Sequence, residues 1–157
     1  MGAYYFFVNE TKREYFSIDP VLDQEIKFPF VGDSIGSRAF GFLLWADDIE
    51  HSGVAYHELL GAWIGDRAFV ASDHGQHFDV FGSQYKNIRQ DVVELLMVTS
   101  LFYVLQHSGE AWIESLINGQ HEELIFTDLM RKTLREEFLL QQRSHPNDFY
   151  ARILKAT

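Results

Sequence analysis

Polar and apolar positions change period several times along the chain, and each change marks an element. Residues 4–8, Tyr-Tyr-Phe-Phe-Val, are aromatic and β-branched, which favours a strand. Asn9-Glu10-Thr11-Lys12 has turn chemistry, and 14–18 reads as the returning strand of a hairpin. Asp19-Pro20 ends it. The apolar positions at 26–31 predict at most an edge strand, because Pro29 has no amide hydrogen for a ladder. A turn at 32–37 supplies Asp33, Ser34 and Ser37 as N-caps for a helix over 38–48, with Phe40, Leu43 and Leu44 at helical spacing. Residues 51–53 break the chain, and 55–62 predict a short helix. Trp63-Ile64-Gly65-Asp66 reads as a turn and 67–72 as a strand. A loop over 73–85 follows, and loops of that length in compact domains often carry function.

The stretch around which the rest must pack is 87–107. Ile88, Val92, Leu95 and Leu96 fall at helical spacing, and from Leu95 to Leu105 only Thr99 and Ser100 are polar. A helix that is apolar nearly all round needs cover on several sides. Either a core or a seam with a second copy provides it, so a homo-oligomer is expected. Asn87 is a candidate cap, with Gln90 completing a box-like pattern. Gly109 is a candidate stop, with His107 at the end that favours positive charge. Helices are predicted over 111–117 and 127–143, the second with Met130, Leu134 and Phe138 on one face. Residues 145–148 stop it, and 149–154 form a last turn or short helix.

Strands come early and helices late, so the fold class is α+β. The sheet is expected to be small and antiparallel, the N-terminal hairpin plus the strand near 67–72. It packs on the long central helix and the C-terminal helices. With 157 residues, no repeat and no Pro/Gly/Ser linker, residues 1–157 are read as a single domain.

Composition narrows the functional classes. The chain is 46% hydrophobic with 14 Phe, enough for an ordered core. It has no cysteine, which excludes disulfides and Cys-ligated metal centres and points to a reducing cytoplasm. The N-terminus lacks a signal-peptide pattern, and the 95–105 run is about half the length a bilayer needs. Net charge is −10, and protonating all 7 His would bring it only to −3. Such a field repels nucleic acid and anionic membrane, so neither is an expected partner. From Met130 onward six Lys/Arg face three Asp/Glu, a +3 tail that leaves −13 elsewhere. The plain consequence is solubility, and the sharper one is attraction to a basic protein. The aromatic residues of the N-terminal hairpin alternate across its two faces, and a face left uncovered would mark an interaction site.

Three strings carry candidate chemistry. Gly32-Asp33-Ser34-Ile35-Gly36 fits the G-x-S-x-G elbow that presents a nucleophilic serine between strand and helix. The plainer reading is a turn with a serine cap. Asp73, His74, His77 and Asp79 form a D-H-x-x-H-x-D group whose imidazoles and carboxylates suit zinc, iron or manganese. The plainer reading there is a solvated loop, and no cofactor is implied. In Trp63-Ile64-Gly65-Asp66-Arg67, Gly65 permits positive φ, Asp66 can bond the turn, and Arg67 can pair with a carboxylate or hold an anion. Trp63, Asp66, Arg67 and Asp73 are therefore the candidate binding residues.

Two resemblances bear on these strings. Gly32-Asp33-Ser34 resembles the Gly-Asp-Ser box of the GDS(L) esterases. That family takes its base from an Asp-x-x-His pair near the C-terminus. The pair present here, Asp48 and His51, stands close behind Ser34 instead. Tyr5-Phe6-Phe7-Val8-Asn9-Glu10-Thr11-Lys12-Arg13-Glu14-Tyr15 resembles the opening of a family of small uncharacterised proteins. Those proteins start on an aromatic strand and an Asn-x-Thr-Lys-x-Glu-Tyr turn. Trp63-Ile64-Gly65-Asp66-Arg67 is similar to the family's Trp-x-Gly-Asp-Arg segment, and Tyr85-Lys86-Asn87-Ile88 to its helix start. The likeness covers about a quarter of the chain and implies no activity.

Two functions are expected on this basis. One is a small acidic cytoplasmic protein without catalytic activity that binds another protein, as an immunity-type or regulatory partner does. The other is a hydrolase that uses Ser34, or a metal held by the 73–79 loop.

Overall fold

A computed structural model of the protein describes residues 4–24, 26–47, 56–75 and 84–157. The chain divides into two compact units, Met1–Leu95 and Leu96–Thr157. The fold is α+β; the described residues form five α-helices and a small four-stranded mixed sheet.

The first unit holds the sheet. Strands β1 (Tyr5–Asn9) and β2 (Glu14–Ser17) form the hairpin that the aromatic alternation predicts, with Phe7 opposite Phe16 and Asn9 opposite Glu14. Strand β3 (Ala68–Ser72) pairs antiparallel on the other side of β1. A two-residue strand β4 (Lys86–Asn87) lies parallel to β2 and gives the order β3-β1-β2-β4. The sequence pattern does not reveal β4, because two exposed polar residues carry no periodicity. It makes the sheet mixed instead of antiparallel.

Both sheet faces are covered by aromatic side chains. On one face Phe7 stacks between Phe16 and Phe40 at centroid distances of 5.2 and 4.8 Å, and Trp63 closes the group against Phe16 and Phe40 at 5.6 and 6.2 Å. Phe40 belongs to helix α1 (Ile35–Leu43). On the other face Phe6, Val8 and Ala71 are buried among Tyr15, Phe69 and Tyr85. The alternation of strand side chains thus places odd and even residues of β1 in two separate clusters.

Two local expectations change. The 26–31 run is a 3-10 helix, Phe28–Asp33, with Pro29 in its first turn, where a missing amide hydrogen costs nothing. Residues from Tyr56 through Asp66 make successive turns instead of the short helix expected over 55–62, with Leu60, Ala62, Ile64 and Asp66 amides each bonding a carbonyl three residues back. Gly61 and Gly65 take positive φ within them.

Helix α2 (Arg89–Ser108) begins in the first unit and ends in the second, and is interrupted at Ser100. Asn87 Oδ1 accepts from the Arg89 amide, as its capping chemistry suggests. Val92, Val93, Leu95, Leu96, Met97, Val98, Leu101 and Val104 are buried within the single chain. In the second unit α3 (Glu110–Ile117), α4 (Asp128–Ser144) and α5 (Asp148–Ala156) follow. Thr127 and Asn147 cap α4 and α5, accepting from the Met130 and Phe149 amides. Phe138 of α4 packs on Phe149 and Tyr150 of α5 at 5.8 and 4.9 Å, and Arg152 pairs with Glu114 at 2.9 Å. Among the described residues no single helix is long and apolar enough to cross a membrane.

Candidate functional site

The distinctive polar strings converge on one place in the first unit. The hairpin turn at Asn9–Lys12 docks against the turn at Ala62–Arg67. Asn9, fully buried, donates from Nδ2 to Asp66 Oδ2 at 2.8 Å and accepts the Lys12 amide on Oδ1 at 2.9 Å. Lys12 Nζ bonds both the Ala62 carbonyl and Asp66. The Arg67 amide donates to Thr11 Oγ1, and its carbonyl accepts from the Glu10 amide, both at 2.9 Å. Trp63 is fully buried, and its indole N–H donates to Glu14 Oε2 at 3.0 Å. The Lys12 ammonium and, after it, the Asn9 amide hold the Asp66 carboxyl below its usual range. Beside this lock, Lys86 and Ile88 amides donate to Arg13 and Tyr15 carbonyls. All three strings that carry the family resemblance therefore meet around the β1–β2 hairpin.

Next to the lock, β3 forms one edge of the sheet. The Glu10 amide bonds the Arg67 carbonyl and the Asp73 amide bonds the Tyr4 carbonyl. Antiparallel pairing alternates, so Arg67, Phe69, Ala71 and Asp73 direct backbone groups toward β1, while Ala68, Val70 and Ser72 direct theirs outward. Among the described residues β3 has no second strand neighbour. A groove of about 590 Å3 runs along this edge, floored by β3 and walled by Tyr5 and Phe28. Phe28 is 73% exposed and Val70 44%. At one end Arg67, 77% exposed, pairs with Glu10 at 2.9 Å. At the other end Asp73 accepts the Tyr4 amide on its side chain at 3.1 Å.

The other sequence candidates sit elsewhere. Ser34 caps α1: its Oγ donates to the Val31 carbonyl at 2.7 Å and accepts the Ser37 amide at 3.1 Å. It is buried, and among the described residues its hydroxyl meets neither an imidazole nor a carboxylate. Asp48 and His51 lie outside the described residues, as do His77 and Asp79. His74 is exposed beside Asp73, 3.6 Å from its Oδ1. Among the described residues no group of three or more His, Asp and Glu is placed to hold a metal.

Sequence reading passed over two polar features. His57 is buried, with Nε2 2.9 Å from Glu94 Oε1 and Nδ1 accepting the Leu59 amide at 3.1 Å. The amide bond at Nδ1 puts the ring hydrogen on Nε2, so His57 donates to Glu94 and tethers the turns to α2. Arg89 likewise binds the Pro20 and Val21 carbonyls through its guanidinium. The partners in both cases stand 37 to 69 residues apart, and local spacing gives no hint of them.

No known protein family, curated protein or solved structure matches the chain. The reading of function therefore rests on the geometry.

Proposed function

We propose that this protein is a small acidic binding partner of another, basic protein, without catalytic activity of its own, in an immunity-type or regulatory role in the cytoplasm. The groove along β3 supports this reading most directly. Its wall and floor offer exposed Phe28, Tyr5 and Val70, the mix of rigid aromatic and aliphatic surface that anchors protein interfaces. Phe30, also exposed, extends the apolar surface of the same 3-10 helix. The sequence of the first unit carries 15 Asp/Glu against 7 Lys/Arg, a net −8, so the field around the groove steers a basic partner toward it.

Affinity capture with wild type and Phe28→Lys tests the proposal. Phe28 is exposed, so the variant keeps the fold while placing a charge in the groove. The expected result is a basic protein held in stoichiometric amount by wild type, released by raised salt and lost by the variant. A partner held equally by both, or none held at all, overturns it.

A further inference from the structure

We propose that β3 pairs with β3 of a second copy of this chain, joining two sheets into one continuous eight-stranded sheet. The inference rests on the strand edge and stands apart from the basic-partner reading. An exposed edge with free backbone donors and acceptors is a template for strand addition. Among the described residues Ala68, Val70 and Ser72 present theirs outward, with the Ser72 carbonyl already accepting the Gly75 amide at 3.1 Å, so an added strand bonds at those alternate positions and shares the Ser72 carbonyl with that turn.

The strand is complementary to itself in one register. Placing the two-fold axis at Val70 sets Val70 against its own copy, Ala68 against Ser72, and Phe69 against Ala71. The same register sets Arg67 opposite Asp73 at each end. It pairs the full length of β3 and brings opposite charges together twice. Arg67 is exposed enough to turn from Glu10 toward the second copy. A shift of one residue either way shortens the overlap and separates the two charged pairs. Because the axis is perpendicular to the sheet, both grooves open on the same side, and Val70, Tyr5 and Phe28 of each copy line one longer trough. The apolar helix α2, whose seam suggested an oligomer in the sequence, is not needed for this contact.

Charge variants give a test that misfolding cannot imitate. Arg67→Asp alone places Asp against Asp73 at both ends, and Asp73→Arg alone places Arg against Arg67. Each is expected to weaken self-association at least about tenfold in sedimentation velocity, since each converts two attractive cross-strand pairs into repulsive ones. Mixed one to one, the two variants restore opposite charges at both ends and regain the dimer. Val70→Pro removes an outward amide without touching the bonds to β1 and leaves a monomer. Far-UV circular dichroism checks that each variant is folded. Strictly monomeric wild type up to millimolar concentration, a dimer indifferent to Val70→Pro, or a mixture no more associated than its parts overturns the proposal. None of these outcomes bears on whether a basic protein is captured through Phe28.

Discussion

The lock between the two turns makes Asn9 the residue whose replacement is most informative. Its side chain is fully buried and makes two hydrogen bonds, one to the Asp66 carboxylate and one from the Lys12 amide. A bond to a charged group contributes about 1.5–3 kcal/mol and a neutral one about 0.5–1.5. Asn9→Ala is therefore expected to destabilise the first unit by about 2–4 kcal/mol. At a urea slope of about 2 kcal/mol/M, a loss of about 3 kcal/mol lowers the midpoint by roughly 1.5 M. Asn9→Asp adds a sharper signature. It keeps the shape but replaces the donor with an oxygen facing Asp66 Oδ2, where two carboxylates cannot both stay ionised. One of them holds its proton to higher pH in the folded state than in the unfolded chain. The variant then gains stability as pH falls from 7 toward 5, because the folded state binds the extra proton. Wild type behaves in the opposite sense. The lowered Asp66 pKa contributes stability above the ordinary carboxylate range, and that contribution disappears as pH falls through the lowered value. Unfolding is followed by fluorescence in a Trp112→Phe background, so that Trp45 and Trp63 of the first unit carry the signal. A loss under about 1 kcal/mol in Asn9→Ala, or an Asn9→Asp profile parallel to wild type, refutes the account of the lock.

Three further perturbations test other parts of the first unit. A Cβ on Gly36 would lie 2.2 Å from the Ile18 carbonyl oxygen, so Gly36→Ala is expected to cost about 3 kcal/mol, while Gly41→Ala, open on all sides in the same helix, stabilises by about 0.5–1 kcal/mol in parallel urea titrations. Arg13 holds a φ of 55° in the hairpin turn, and Arg13→Gly is expected to raise stability by about 0.5–1 kcal/mol by thermal unfolding. Burial raises the Asp19 pKa above 3.8, so the unit loses stability as pH rises from the ordinary carboxylate range through the raised value; Asp19→Asn keeps the carbonyl that accepts the Leu22 amide, and its stability should not fall over that interval.

Much of the fold is legible in the sequence because it is written in local periods. The Phe6/Phe7 and Tyr15/Phe16 alternation gives the hairpin, and Met130, Leu134 and Phe138 at helical spacing give α4 with its Thr127 cap. What is hidden depends on partners distant along the chain. Nothing near Asn9 indicates that its amide will meet Asp66, 57 residues on. Pro29 reads as the mark of a strand edge, yet its fixed φ equally suits the start of a 3-10 turn. The groove is hidden for a related reason. Ala68, Val70 and Ser72 look like ordinary half-buried strand residues, and only the order of strands shows that their backbone faces outward.

Strand β4 has a bearing on how far such a sheet can extend. It covers the flank of β2 at Glu14 and Tyr15, and two residues on, at Arg89, the chain has already coiled into helix, whose amides point along their own axis. The flank beyond β4 is thus too short to seed another ladder. With one side stopped by so brief a strand, the described residues leave a single direction for lateral growth. The association proposed through β3 would use up that direction in both molecules at once. On that proposal the assembly is a closed pair and not a fibre, even though β3 has an outer edge with no strand neighbour among the described residues.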